Sequence, residues 1–200
     1  MNIKLYNFPF SCAARCMWTM KELGVSYRLI NDKQILQYKI NRNASLNGIV
    51  TMAEINGKQL YESGAISTYL ADIFPRENLI STSGTWQRAL HDQWTNFCYS
   101  EMDSWLTSIG VNRYMTLRTE SDKIALEKHN KLFSSAASVL NEVLSDSEYL
   151  IDDKFSVTDI IVGYSVNWAN NWNMINEFQG LQNYLKRLHE RPNCSLLKPY

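Results

Sequence analysis

Residues 1–75 switch between a hydrophobic period of two and one near 3.6. "IKLYNF" (3–8) places apolar side chains at alternate positions and stops at Pro9, which predicts a strand. A helix is expected from about Ser11, with Ala13, Cys16, Met17, Met20 and Leu23 on one stripe and Gly24 as its stop. "VSYRLI" (25–30) reads as a second strand, and residues 31–48 read as polar and irregular, with a short helix expected at most around 33–40. Asn56-Gly57 sits between "IVTMAEI" and "KQLYE", a strong hairpin signal because a type I′ turn needs positive φ at both central residues. After Ser63, the residues Ile66, Tyr69, Leu70 and Ile73 recur on one helical face. The order βαβ, then ββα, predicts a compact α/β domain over 1–76.

Past Phe74-Pro75 the strand period disappears. Residues 77–86 read as a linker and 87–200 as an all-helical domain. "WQRALHDQWTNFCYSEMDSWLTSI" predicts one long helix with Trp86, Leu90, Trp94, Phe97 and Met102 on its apolar stripe. "SDKIALEKHNKLFSSAASVLNEVLS", "VTDIIVGYSVNWANNW" and "GLQNYLKRLHER" predict further helices of a bundle.

Composition narrows the function classes. The 200 residues are 45% hydrophobic with zero formal net charge, so there is no general attraction to nucleic acid or anionic lipid. "MNIKLYNFPF" lacks the basic and apolar segments of an export signal. The uncharged run 160–176 is broken by Asn167, Asn170, Asn171, Asn173 and Asn176 and does not read as a membrane span. A cytoplasmic protein with free thiols is expected. The four Cys and three His show no metal-ligand spacing, so no metal is expected.

Glu62 and Ser63 stand where the second hairpin strand meets a helix. A helix N-terminus carries about half a positive charge and unpaired N–H groups, which favour a carboxylate. Ser63 at the cap can hold a backbone N–H or donate to a ligand oxygen. Glu62 favours an ammonium. The pair suits the zwitterionic head of an α-amino acid, and it equally suits a plain helix cap beside a solvated acid.

The wording of the whole chain resembles the cytosolic glutathione S-transferase family. "ESGAISTYLADIFP" (62–75) is similar to the segment in which that family binds the γ-glutamyl end of glutathione. "FSVTDII" (155–161) resembles its helix-opening box, with Ser156 capping and Asp159 reaching back to the Ser156 N–H. "LKRLHERP" (185–192) resembles its final helix. "KLYNFPFSCAARC" (4–16) aligns without gaps to the bacterial beta class and puts Cys12 on that class's cysteine, while "QWTNF" (93–97) puts Asn96 on its active-site asparagine.

The resemblance implies a thioredoxin-like N-terminal domain followed by an all-α helical bundle. It implies a homodimeric detoxification enzyme that takes glutathione as co-substrate and directs its thiolate at a small apolar electrophile or a disulfide. Cys12, with its thiolate favoured by the helix dipole, or the adjacent Ser11 would activate the thiol. Tyr6, in the strand, ranks third. Val50 and Thr51 would pair with the cysteinyl unit, and Lys33 or Lys39 would meet the glycyl carboxylate. Trp105, Tyr99, Met102, Tyr114, Trp168 and Trp172 would either line an apolar pocket or form core.

Two positions depart from the family pattern. Thr51 replaces its cis-proline, and a cis bond before a non-proline residue costs about 2.5–4 kcal/mol. Asp103 replaces the beta-class histidine, and an acid facing the sulfur disfavours a thiolate. An acid there is expected to face the γ-glutamyl ammonium or solvent instead. These departures support a second reading, a non-catalytic binding or regulatory protein on the same fold. A third reading, a glutathione-dependent cis–trans isomerase, draws on Ser11, Cys12 and Arg15 but has Phe10 where that class carries a serine.

Overall fold

The computed structural model describes residues 1–7, 12–31, 51–114 and 119–196, with the backbone alone for Arg113 and Tyr114. The chain divides into two compact units, Met1–Thr82 with Asn193–Leu196, and the helical stretch from Ser83 to Pro192.

The first unit holds β1 (Ile3–Tyr6), α1 (Ala13–Glu22), β2 (Arg28–Ile30), β3 (Met52–Ile55), β4 (Lys58–Tyr61) and α2 (Ser63–Ile73). The sheet order is β2-β1-β3-β4, with β1 parallel to β2 and both other pairings antiparallel. This is the thioredoxin-like βαβ–ββα arrangement. The hairpin turns at Asn56 (φ +49°) and Gly57 (φ +82°), the two positive φ values that the dipeptide predicts. The strands are shorter than the apolar runs. β1 ends at Tyr6 and β2 begins at Arg28, because pairing between the two covers only Lys4–Tyr6 and Arg28–Ile30.

Alternation along the strands separates two faces. Ile3 and Leu5 pair in register with Ile55 and Ala53, and all four are buried. On the opposite face Tyr6, Ile30 and Met52 form a small cluster with Tyr61. α1 and α2 pack together through Cys16, whose Sγ lies 3.5 Å from the Ser63 carbonyl oxygen and 3.9 Å from Ser67 Oγ. The buried stripe of α1 includes Arg15 and Trp18, whereas Met17 stays half-buried. Trp18 is accommodated because its indole N–H reaches Glu22 Oε1 at 2.8 Å.

The second unit comprises α3 (Trp86–Phe97), a π-helical segment (Cys98–Asp103), α4 (Ser104–Tyr114), α5 (Glu120–Asp146), α6 (Val157–Asn170) and α7 (Gln179–His189). The single long helix expected over 86–109 is therefore interrupted. Ser165 of α6 explains the interruption: its Oγ lies 3.0 Å from Cys98 Sγ and donates to Asp103 Oδ1 at 2.5 Å. Residues five apart on an α-helix diverge by about 140°, so one side chain bridges them only where the helix widens. The expected stripe changes too. Trp86 is 74% exposed, and α3 instead buries His91, Trp94 and Thr95, with His91 Nδ1 2.9 Å from Thr158 Oγ1 of α6. Among the described residues no helix is long and apolar enough to cross a membrane.

The Ser156–Asp159 capping box opens α6 as its spacing predicts. Asp159 also binds more widely. It accepts from the N–H groups of Ser156 (2.9 Å) and Leu150 (3.1 Å) and from the hydroxyls of Ser156 (3.1 Å) and Tyr184 (3.0 Å). Burial nevertheless pushes its carboxyl up from 3.8 to about 6, against the pull of these four donors. A folded value above the unfolded one means that the folded state holds the proton more tightly. This group's contribution to stability is then fully present below about pH 3.8 and is lost as the pH rises through about 6. The rise corresponds to about 3 kcal/mol. Denaturant unfolding of wild type and Asp159→Asn at several values from about pH 4 to 7 measures it. The difference between the two stabilities should change by up to about 3 kcal/mol across that window. Parallel curves would show that the carboxyl keeps its ordinary affinity for protons.

Candidate functional site

The junction between β4 and α2 is built on the backbone of Glu62. This residue adopts φ +70°, ψ 121°, a sparsely populated region for a side chain other than glycine. Its N–H donates to the carbonyl of buried Thr51 at 3.0 Å, and its carbonyl accepts from Ile66 N–H at 2.9 Å. One residue thus closes the sheet on one side and begins the helix on the other. Its side chain is exposed.

Ser63 is the first helical residue rather than the cap, and it is buried. The boundary shifts by one because the Glu62 carbonyl already takes the first intrahelical bond. No side chain caps α2, so its first turn presents N–H groups and the positive end of its dipole. The Ser63 hydroxyl instead faces Arg15 of α1, with Nη1 3.5 Å from Oγ. Arg15 is only 2% exposed.

Cys12 occupies the N-cap position of α1 and is half-buried, and its carbonyl accepts from Arg15 N–H at 3.1 Å. Cys16 lies one turn further along. Burial pushes its thiol up to about 12, with the Ser67 hydrogen bond and the Arg15 charge only partly opposing this. Cys16 is therefore a core thiol, as its place on the apolar stripe suggests. Tyr6 points to the other face of the sheet, where its hydroxyl donates to Glu54 Oε2 at 3.4 Å. Burial and the Glu54 charge both raise its pKa, which disfavours it as a thiol activator.

The structure brings Thr51, Glu62, Ser63 and the first turn of α1 into one unit. Ser11, Lys33, Lys39 and Val50 lie outside the described residues, and with Val50 so does the Val50–Thr51 bond. Asn96, on α3, is exposed and donates its amide to the Asp92 carbonyl at 2.7 Å. Asp103 is half-buried and turned toward Ser165, not simply into solvent. Of the aromatic set, Met102 is core at 0% exposure, while Trp105 stacks on His129 at 5.6 Å. Trp168 meets Trp172 edge-on at 5.4 Å, and Trp172 fits against Gly110, where a Cβ would stand 2.9 Å from its ring. Among the described residues no cluster of His, Cys, Asp or Glu is placed to hold a metal ion.

Arg15 is the site-forming residue that the hydrophobic pattern passes over. Its signal is a cation on an apolar stripe, between Ala13 and Cys16, where burial is costly without a polar partner.

An α/β unit with an uncapped helix N-terminus beside a cysteine-bearing helix, joined to a helical bundle, defines the glutathione-transferase class of fold. The family models agree: "Glutathione S-transferase, N-terminal domain" matches residues 1–72 and "Glutathione S-transferase, C-terminal domain" matches residues 89–192. The chain belongs to the glutathione S-transferase family. It is 21% identical to glutathione S-transferase GstA of Escherichia coli O157:H7, over 95% of this chain and 94% of that protein. It is 24% identical to a probable glutathione S-transferase of Nicotiana tabacum, over 98% and 86%. The bacterial transferase BphK, solved as a ternary complex, superposes with a TM-score of 0.81 at 23% identity, covering 96% of this chain and 97% of that one. Transferase URE2P6 of Phanerochaete chrysosporium, solved with oxidized glutathione, gives 0.80 at 23% identity, covering 96% and 93%.

The contrast between the two α1 thiols is directly measurable. Brief iodoacetamide treatment of the folded protein near pH 8 should alkylate Cys12 and leave Cys16 intact, as read by peptide mass spectrometry. Equal labelling of both without unfolding would contradict the burial of Cys16.

Proposed function

We propose that this chain is a glutathione transferase of beta-like character. Glutathione binds with its γ-glutamyl head at Glu62 and Ser63. The backbone of Val50 and Thr51 pairs with the cysteinyl unit, Lys33 meets the glycyl carboxylate, and Asn96 is the glutathione-binding candidate of the helical unit. Cys12 or Ser11 stabilises the thiolate, which attacks a small apolar electrophile or a disulfide. The protein works as a cytoplasmic homodimer in detoxification.

The observation that carries this reading is the strained, exposed Glu62 set directly before a buried Ser63 at an uncapped helix N-terminus. A carboxylate and an ammonium on one carbon match the helix end and the acid respectively. Bringing a thiol from near 9 to between 6 and 7 requires about 3–4 kcal/mol of differential stabilisation. Two or three oriented donors are sufficient for that.

The test is retention on immobilised glutathione followed by a conjugation assay with an aryl halide. Wild type should be retained and turn over. Ser63→Ala should lose about tenfold or more in glutathione affinity, since it removes a hydrogen bond to a charged group. Cys12→Ala and Ser11→Ala separate the two activation schemes, because only one of them should abolish turnover with binding intact. A protein that neither binds glutathione nor turns over would be a binding module on this fold.

A further inference from the structure

Arg15 is the one lysine or arginine among the described residues that is buried, at 2% exposure. It stands on α1 three residues past Cys12, and its guanidinium reaches Ser63 Oγ at 3.5 Å across the helix pair. Cys16, the next residue, points its Sγ at the Ser63 carbonyl. Ser63 is thus engaged from α1 at both its hydroxyl and its carbonyl. Ser63 is the first helical residue of α2 and not its cap, and its hydroxyl faces Arg15 of α1.

We propose that Arg15 is a positioning residue of this site: its guanidinium occupies the Ser63 oxygen as an acceptor and so turns the hydroxyl proton toward a ligand carboxylate at the start of α2. The inference rests on the glutathione reading above and adds to it the residue that sets the polarity of Ser63. A hydroxyl has one proton to donate and two lone pairs. With one lone pair directed at a cation, and the carbonyl taken by Cys16, the proton is what Ser63 has left to offer.

The experiment is a double-mutant cycle on Arg15 and Ser63, read by calorimetric titration with glutathione and with its analogue in which the γ-glutamyl carboxylate is an amide. Arg15→Met should weaken glutathione binding about tenfold while changing affinity for the amide by less than about twofold. In a Ser63→Ala background the same substitution should have little further effect. Arg15→Lys, which keeps the charge but loses the planar fork, should fall between, and it serves as the test if the methionine variant does not fold. Equal losses for both ligands, or losses that multiply independently of Ser63, would overturn the proposal and mark Arg15 as a structural residue. Wild type failing to bind glutathione at all would bring down the proposed function and this inference with it. Wild-type binding without coupling would bring down the inference alone.

Discussion

Glu62 carries the chain from β4 into α2 within a single residue, at a positive φ that costs a non-glycine residue about 1–3 kcal/mol. The conformation is over-determined. Its N–H is fixed to Thr51 and its carbonyl to Ile66, so neither peptide plane can rotate without losing a hydrogen bond. Because the turn is this tight, Ser63 enters the helix already buried, against α1 rather than against its own helix end. Glycine would relax the backbone at this corner, but it would remove the one carboxylate that the corner displays. The strain, the burial of Ser63 and the uncapped helix end are therefore three aspects of one geometric choice.

The helical unit depends on a comparable concentration of constraint around Asp159. Its carboxylate collects donors from the preceding loop, from its own helix start and from Tyr184 on α7. α7 can approach this closely because Gly163 leaves room: a Cβ there would stand 2.3 Å from Leu188 Cδ1. A single buried acid thus fixes where α6 begins and how α7 lies on it.

Much of this architecture was legible from periodicity and turn chemistry. Asn56-Gly57 located the hairpin, and Ser156 and Asp159 located the core helix. Each of these signals is local, so sequence spacing carries it. What escaped depends on distant partners. Trp18 and Arg15 lie on the buried side of α1, where the indole reaches Glu22 and the guanidinium reaches Ser63, and Ser63 is not recognisable as a partner from the α1 segment. The cap position at Glu62 was off by one because a strained backbone leaves no mark in composition. The interruption at Cys98–Asp103 is set by Ser165, more than sixty residues away in the chain.

That interruption has a consequence for comparing sequences. A widened turn absorbs a residue without advancing the helix, so every side chain beyond Asp103 is out of phase with a projection drawn as one uninterrupted α-helix. A gapless match to a relative whose helix runs straight through would pair residues that face different directions. Functional equivalence of residues beyond this segment has to be judged after the phase is restored.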